Sequence, residues 1–290
     1  MIQKTSSTIV MIAVLASFIS GCRSSAEYQR LAKAGNTYTT AMDKLLTTAG
    51  QIRIDTTSEQ LLKDDELSHQ TPESYNELSK LDVERLEILE NLRKHNRLLT
   101  RYFALIDELA TSNAPQKAQQ EIEGVVGNLN KIGTQLRGSA LVPNTSVIKS
   151  VGGLVISSQI RGALREELEK RKDIIDREFK TQQFLLEALS NSIKQDVRLT
   201  IESRELRQVI RPLVDRKQSI SDADNWIAKR RAILTMNNTV SELEDASKSA
   251  GKFRELFKDF VEGKLNRERL NTLLTDIESF ITIVEQLKNS

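Results

Sequence analysis

The sequence predicts an all-α protein, an elongated antiparallel multi-helix bundle with coiled-coil-like seams. Three observations carry that expectation. Apolar residues recur at alternating steps of three and four, the spacing of a helix seam. Only 4 Pro and 12 Gly occur in 290 residues, too few for a turn-rich β-sandwich or a βαβ array. Strand signals are nearly absent, with no Asn-Gly or Asp-Gly turn and no sustained alternation of period two.

The elements follow in chain order. Leu31, Ala34, Tyr38, Ala41, Leu45 and Ile52 line a first helix, which misses a step only at Thr48. A second opens with Thr71 as cap, Pro72 at the first helical position and Glu73 facing the dipole. Its seam runs Leu78, Leu81, Arg85, Ile88, Leu92, His95, Leu99, Tyr102, Ile106 and Leu109. A second stripe of Leu86, Leu89, Leu98, Phe103 and Leu105 demands a second neighbour, which favours a bundle over a lone two-stranded coil. Asn113-Ala114-Pro115 opens a third helix carrying Ala118, Ile122, Val125, Leu129, Ile132 and Leu136.

Residues 138–160 break this rhythm: they carry a single charge, Lys149, and a central Gly152-Gly153. They read as a buried connection leading into a hydrophobic helix start. A long fourth helix then bears Leu164, Leu168, Ile175, Phe179, Leu186, Leu189, Ile193 and Val197, and Pro212 should end or kink it near Arg211. Ser221-Asp222-Ala223-Asp224 has the capping-box pattern and opens a fifth, with Ile233, Met236, Val240 and Leu243. The last helix carries Leu270, Leu273, Ile277, Phe280, Val284 and Leu287.

Residues 5–22 are uncharged, and Ile9 to Ile19 reads IVMIAVLASFI, the basic-start, apolar-core shape of a secretory signal. The run ends Ile19-Ser20-Gly21-Cys22, an aliphatic residue, two small ones and a cysteine. In this it resembles the bacterial lipoprotein signal, over residues 1–22 only, with Ile19 where leucine is commoner. The resemblance implies cleavage before Cys22, acylation of its thiol with several chains (palmitate among them), and a membrane-held first residue. Arg23 stands where some lipoproteins carry an inner-membrane-retaining aspartate, so the outer membrane is the expected destination. The competing reading is an uncleaved anchor, because 18 uncharged residues come close to spanning a bilayer. Cys22 is the sole cysteine, so no intramolecular disulfide can form. The expected domain organisation is therefore a signal over 1–21 and one helical domain over 22–290, with a subdivision allowed near 138–145.

Catalytic motifs are missing. No Gly-x-Ser-x-Gly elbow, His-Glu-x-x-His pair, Walker loop or dinucleotide-binding glycine motif occurs. Ala250-Gly251-Lys252 is followed by Phe253 where a phosphate loop needs Ser or Thr. Glu66-Leu67-Ser68-His69 matches half of a di-iron motif, but His95, the only other histidine, has Leu92 three residues earlier. His95 and Arg85 on the second seam read as packed or register-setting polar residues. No catalytic, cofactor-binding or metal-binding residue is assigned, and no cofactor or small-molecule substrate is expected. With 42 basic and 40 acidic residues the net charge is +2, which gives no reason to expect nucleic acid.

Trp226 beside Lys229-Arg230-Arg231 is the one cluster with the composition of a partner contact, although an ordinary core tryptophan on a helix fits as well. The expected function is a lipid-anchored, non-catalytic scaffold or assembly factor of the bacterial envelope. It would bind the membrane through Cys22, and another envelope protein or itself through its helix faces. The alternatives are a membrane-active effector using 138–160, analogous in architecture to α-helical pore-forming toxins, and, more weakly, a small-ligand sensor.

Overall fold

The computed structural model describes residues 25–65, 70–111, 115–138, 153–158, 160, 162–214, 220–264 and 267–288. Among these there are seven helices and no strand: α1 Ser25–Asp65, α2 Pro72–Thr111, α3 Pro115–Arg137, α4 Gly162–Arg204, α5 Ala223–Gly251, α6 Phe253–Val261 and α7 Arg267–Lys288. With 41 residues at 1.5 Å each, α1 spans about 60 Å.

Side-chain bonds fix the directions. Arg93 of α2 donates to Asp43 at 2.9 Å and Arg53 to Asp82 at 2.9 Å, so α1 and α2 run antiparallel. The Thr56 and Thr200 hydroxyls meet at 2.9 Å, and Arg204 donates to Glu59 at 3.0 Å, so α4 runs parallel to α1. On the other side of α4, α5 returns from Trp226, near Val209, to Gly251, near Gln183. Lys44 pairs with Glu285, and Ile281 lines a hollow with Lys33, Asn36 and Thr40, so α7 runs parallel to α1. α4 packs against α1, α2, α3, α5 and α6, and one hydrophobic core extends over helices on both sides of residues 138–145.

Capping is as the residues dictate. The Ser74 N–H donates to the Thr71 hydroxyl at 3.1 Å ahead of Pro72. At α5 the cap is Asp222 rather than Ser221, its carboxylate accepting the Asn225 N–H at 2.9 Å. Pro212 does not stop α4 at Arg211. The helix widens into a π turn, Glu205–Ile210, and continues as an α turn over Arg211–Val214. Proline supplies no N–H and crowds the carbonyl four residues back, and the wider turn displaces that carbonyl. The Arg211 N–H reaches back five residues to the Leu206 carbonyl, and the Trp226 indole donates to the Val209 carbonyl at 3.2 Å.

Around the Ser25 end the core is aromatic. Tyr38 stacks on Phe253 with centroids 4.6 Å apart, and Phe103 and Phe179 meet the same ring edge-on at 5.5 and 5.6 Å. Gly35 lets Phe103 in, because a Cβ there would lie 2.3 Å from the ring. Short α6, which the seam reading did not resolve as a helix, puts Phe253, Leu256, Phe257, Phe260 and Val261 into this core. Most predicted seam positions are buried, including Thr48, which fills the missed step of the first helix. Val240, Leu243 and Leu287 lie outside the described side chains.

Two departures from the predicted seams matter. In α3 the inward face uses Val126 and Gly133, with Val125 and Ile132 at its margins. In α2 the buried face begins only at Leu89, and Leu81 upstream is exposed.

Candidate interaction surface

Two sets of residues stand out from the ordinary bundle core: acids buried along α4 and apolar side chains exposed at the Asp65 end. The acids come first. Glu178 is fully buried, and Arg137 of α3 donates to both its oxygens at 2.9 and 3.0 Å. His95 of α2 lies 3.1 Å from Glu178 through Nε2, and Gln182 meets its Nδ1 at 2.8 Å. Gly133 makes room, since a Cβ there would sit 1.9 Å from a Glu178 oxygen. One carboxylate therefore ties α2, α3 and α4 together.

Asp176 takes a bidentate pair from Arg254 at 2.7 and 2.8 Å. Glu167 pairs with Arg171 one turn along, and burial pushes its carboxyl above the usual range against the pull of that guanidinium. Asp196 accepts from Arg53 at 3.3 Å, and burial raises its carboxyl too, opposed by Arg53 and Arg85. Near the Asp65 end Glu59 gathers Arg204 and Arg207 at 3.0 and 2.7 Å. Each acid already faces a guanidinium, and all but the Glu167–Arg171 pair within α4 join two helices, so these are structural ties rather than an open reactive constellation. No group of three or more His, Cys, Asp or Glu among the described residues is placed to hold a metal.

The sequence-singled residues fall as follows. His95 is fully buried in the Glu178 tie, and Arg85 is half-buried near Asp196 and Arg53, where desolvation holds its guanidinium below its ordinary value. Trp226 is half-buried against the core with its indole N–H spent on Val209, while Lys229, Arg230 and Arg231 are exposed. Cys22, the signal over 1–21 and His69 lie outside the described residues. Of 138–160, Leu154, Ile156 and Ile160 are buried and Ser157 donates its N–H to the Val261 carbonyl at 2.8 Å, which is a packed connection; 139–152 lie outside the described residues.

Sequence reasoning did not foresee the exposed apolar end. Eleven large apolar side chains are exposed among the described residues, and ten of them sit in the last third of the rod. Ile54, Leu62, Tyr75, Leu81, Val83, Ile210, Leu213, Val214, Ile227 and Leu234 are 42–62% exposed. Their common height follows from the bonds that flank them: Arg53 to Asp82, Arg211 to the Lys63 carbonyl at 2.9 Å, and Trp226 to Val209. Leu61, Leu62, Pro72 and Tyr75 help line a hollow of about 390 Å³ at the α1–α2 turn. Adjacency of apolar residues gave no signal, since Leu61-Leu62 and Leu213-Val214 read no differently from Leu45-Leu46 and Leu185-Leu186, which are buried. No described helix is long and apolar enough to cross a membrane. No known protein family, curated protein or solved structure matches the chain.

Proposed function

We infer that the protein is a lipid-anchored, non-catalytic interaction or scaffold protein of the bacterial envelope. Cys22 holds one end at the membrane, with the outer membrane favoured, and the helices carry the Asp65 end outward. The observation that carries this reading is the concentration of exposed apolar side chains at that far end. Exposed apolar side chains gathered at one end of a folded protein favour contact with another molecule there. Only Arg23 and Ser24 separate Cys22 from α1, so about 60 Å of helix sets the reach. The buried ties along α4 hold helices in register and suit a rigid spacer.

Cross-linking in intact cells tests the reading, with the lipidated chain as bait. One dominant protein partner is expected with the native chain and lost with the Leu81→Ser/Ile227→Ser double variant. Cys22→Ser should leave the membrane fraction and lose the lipid mass. Undiminished cross-links in the double variant, or full membrane retention of an unmodified Cys22→Ser chain, contradict the two halves of the reading separately.

A further inference from the structure

Two separate helix faces at the Asp65 end carry opposite charge. On α2, Glu73, Glu77, Lys80, Glu84 and Glu87 step by four and three, so they share one face, and all are exposed. Leu81 and Val83 stand exposed on either side of that acidic stripe. On α5, Ala223, Ile227, Arg230 and Leu234 follow the same spacing, with Arg231 and, two turns earlier, Asp224 alongside; all are exposed, and the two arginines leave the face net basic. Glu77, Glu84, Arg230 and Arg231 form no ion pair among the described residues. α2 packs on α1, α3 and α4, whereas α5 packs on α4, α6, α7 and the π turn, so the two faces look out from different sides.

Both helices start at this end and run back toward the Ser25 end. Copies standing side by side, as chains held at residue 22 in one membrane would, bring an acidic α2 face and a basic α5 face to the same height with the helices parallel. We propose that the partner of the far end is a second copy of this chain, the acidic–apolar face of α2 docking on the basic–apolar face of the neighbour's α5. The inference rests on the far end being an interaction surface and names its occupant.

Matching three-four spacing on both faces is what a parallel two-helix seam requires. Charge selects this pairing: α2 against α2 would oppose glutamates, and α5 against α5 would oppose arginines. A contact between unlike faces leaves one free face of each kind on every pair, so it continues into a ring or a row.

Sedimentation of the full chain in mild detergent, over a concentration series, tests the proposal. Assemblies larger than dimers are expected, weakening as salt rises from about 0.05 to about 0.5 M. Glu77→Lys/Glu84→Lys and Arg230→Glu/Arg231→Glu should each weaken association by about tenfold or more. All four reversals in one chain should restore it. An equal mixture of the two double variants should again form assemblies larger than dimers, with the variants alternating, because each face of one variant meets a face of opposite charge on the other. A chain that stays monomeric, association indifferent to either reversal, or failure of the fourfold reversal to restore it overturns the proposal.

Cysteine variants give a readout independent of charge-variant folding. Glu77→Cys coexpressed with Arg230→Cys should yield an oxidised cross-linked pair. A cross-link formed as readily by Glu77→Cys alone contradicts the unlike-face contact. Loss of cross-links to a different envelope protein in Leu81→Ser/Ile227→Ser, without any self-association, keeps the far end as an interaction surface but removes the second copy as its partner.

Discussion

The two ends of the rod spend their apolar residues in opposite ways. Toward Ser25, aromatic rings from α1, α2, α4 and α6 meet inside the bundle, and Val155 is the one large apolar residue left exposed there among those described. Toward Asp65, guanidinium–carboxylate ties hold the helices together, and ten large apolar side chains face outward. Helices α1, α2 and α4 run through both ends, so those helices alone do not explain the difference. Neighbours do: α2 lies against α3 from Leu109 down to His95, whereas its first turns show no buried residue before Leu89. A seam without a second neighbour is a surface, and that is why the far end suits binding and the near end stability.

Removing rings from the near end should give the largest effect. Phe253→Ala takes away the ring shared by Tyr38, Phe103 and Phe179, and a loss of about 3–5 kcal/mol in denaturant unfolding is expected. A loss below about 1 kcal/mol would show that the aromatic core is not what stabilises this half.

Gly133→Ala should cost about 1–3 kcal/mol, because the added carbon collides with a carboxylate pinned by Arg137 and His95. Glu178→Gln in the same background separates crowding from loss of the tie. If the two changes add fully, Gly133 is not where α3 docks on Glu178.

The pH dependence is smaller and has a definite sign. Burial raises the folded-state pKa of Glu167, so the folded chain holds more protons than the unfolded one just above the usual carboxylate range. Its contribution is intact below the unfolded value and is lost as pH rises through the folded one. Glu167→Gln should flatten that part of the stability–pH curve, read by thermal melts between about pH 4 and 7. An unchanged slope would mean that Arg171 fully offsets the burial.

The smallest effect on stability belongs to the far end. Leu81→Ser and Ile227→Ser should each shift unfolding by no more than about 0.5 kcal/mol while abolishing partner cross-links. A large destabilisation instead would make these side chains structural and blur the contrast between the two ends.

Much of the fold was legible because helix seams are local. The three-four spacing, Thr71-Pro72 and the capping run before α5 reflect backbone geometry within a few residues. What escaped was set by neighbours. Nothing local to Leu81 says that its seam lacks a covering helix, and Gly133 reads as a weak point in a helix until Glu178 is placed against it. Short α6 was legible in principle, since Phe253, Leu256, Phe257, Phe260 and Val261 keep the three-four spacing over its nine residues, but so short a run reads as a connection. Trp226 drew attention by residue type, yet its indole bonds inward to a carbonyl that the π turn exposes, and that turn arises from Pro212 further along the chain.

Photo-cross-linking in cells, with the reactive residue placed one position at a time along the rod, tests the central contrast most directly. Positions 75, 83, 213 and 234 at the far end compare with 29, 33 and 117 toward Ser25, all of them exposed. Protein adducts concentrated at the far-end positions and sparse at the others are the predicted result. Adducts spread evenly along the rod, or gathered at 29, 33 and 117, would contradict a division between a stabilising end and a binding end.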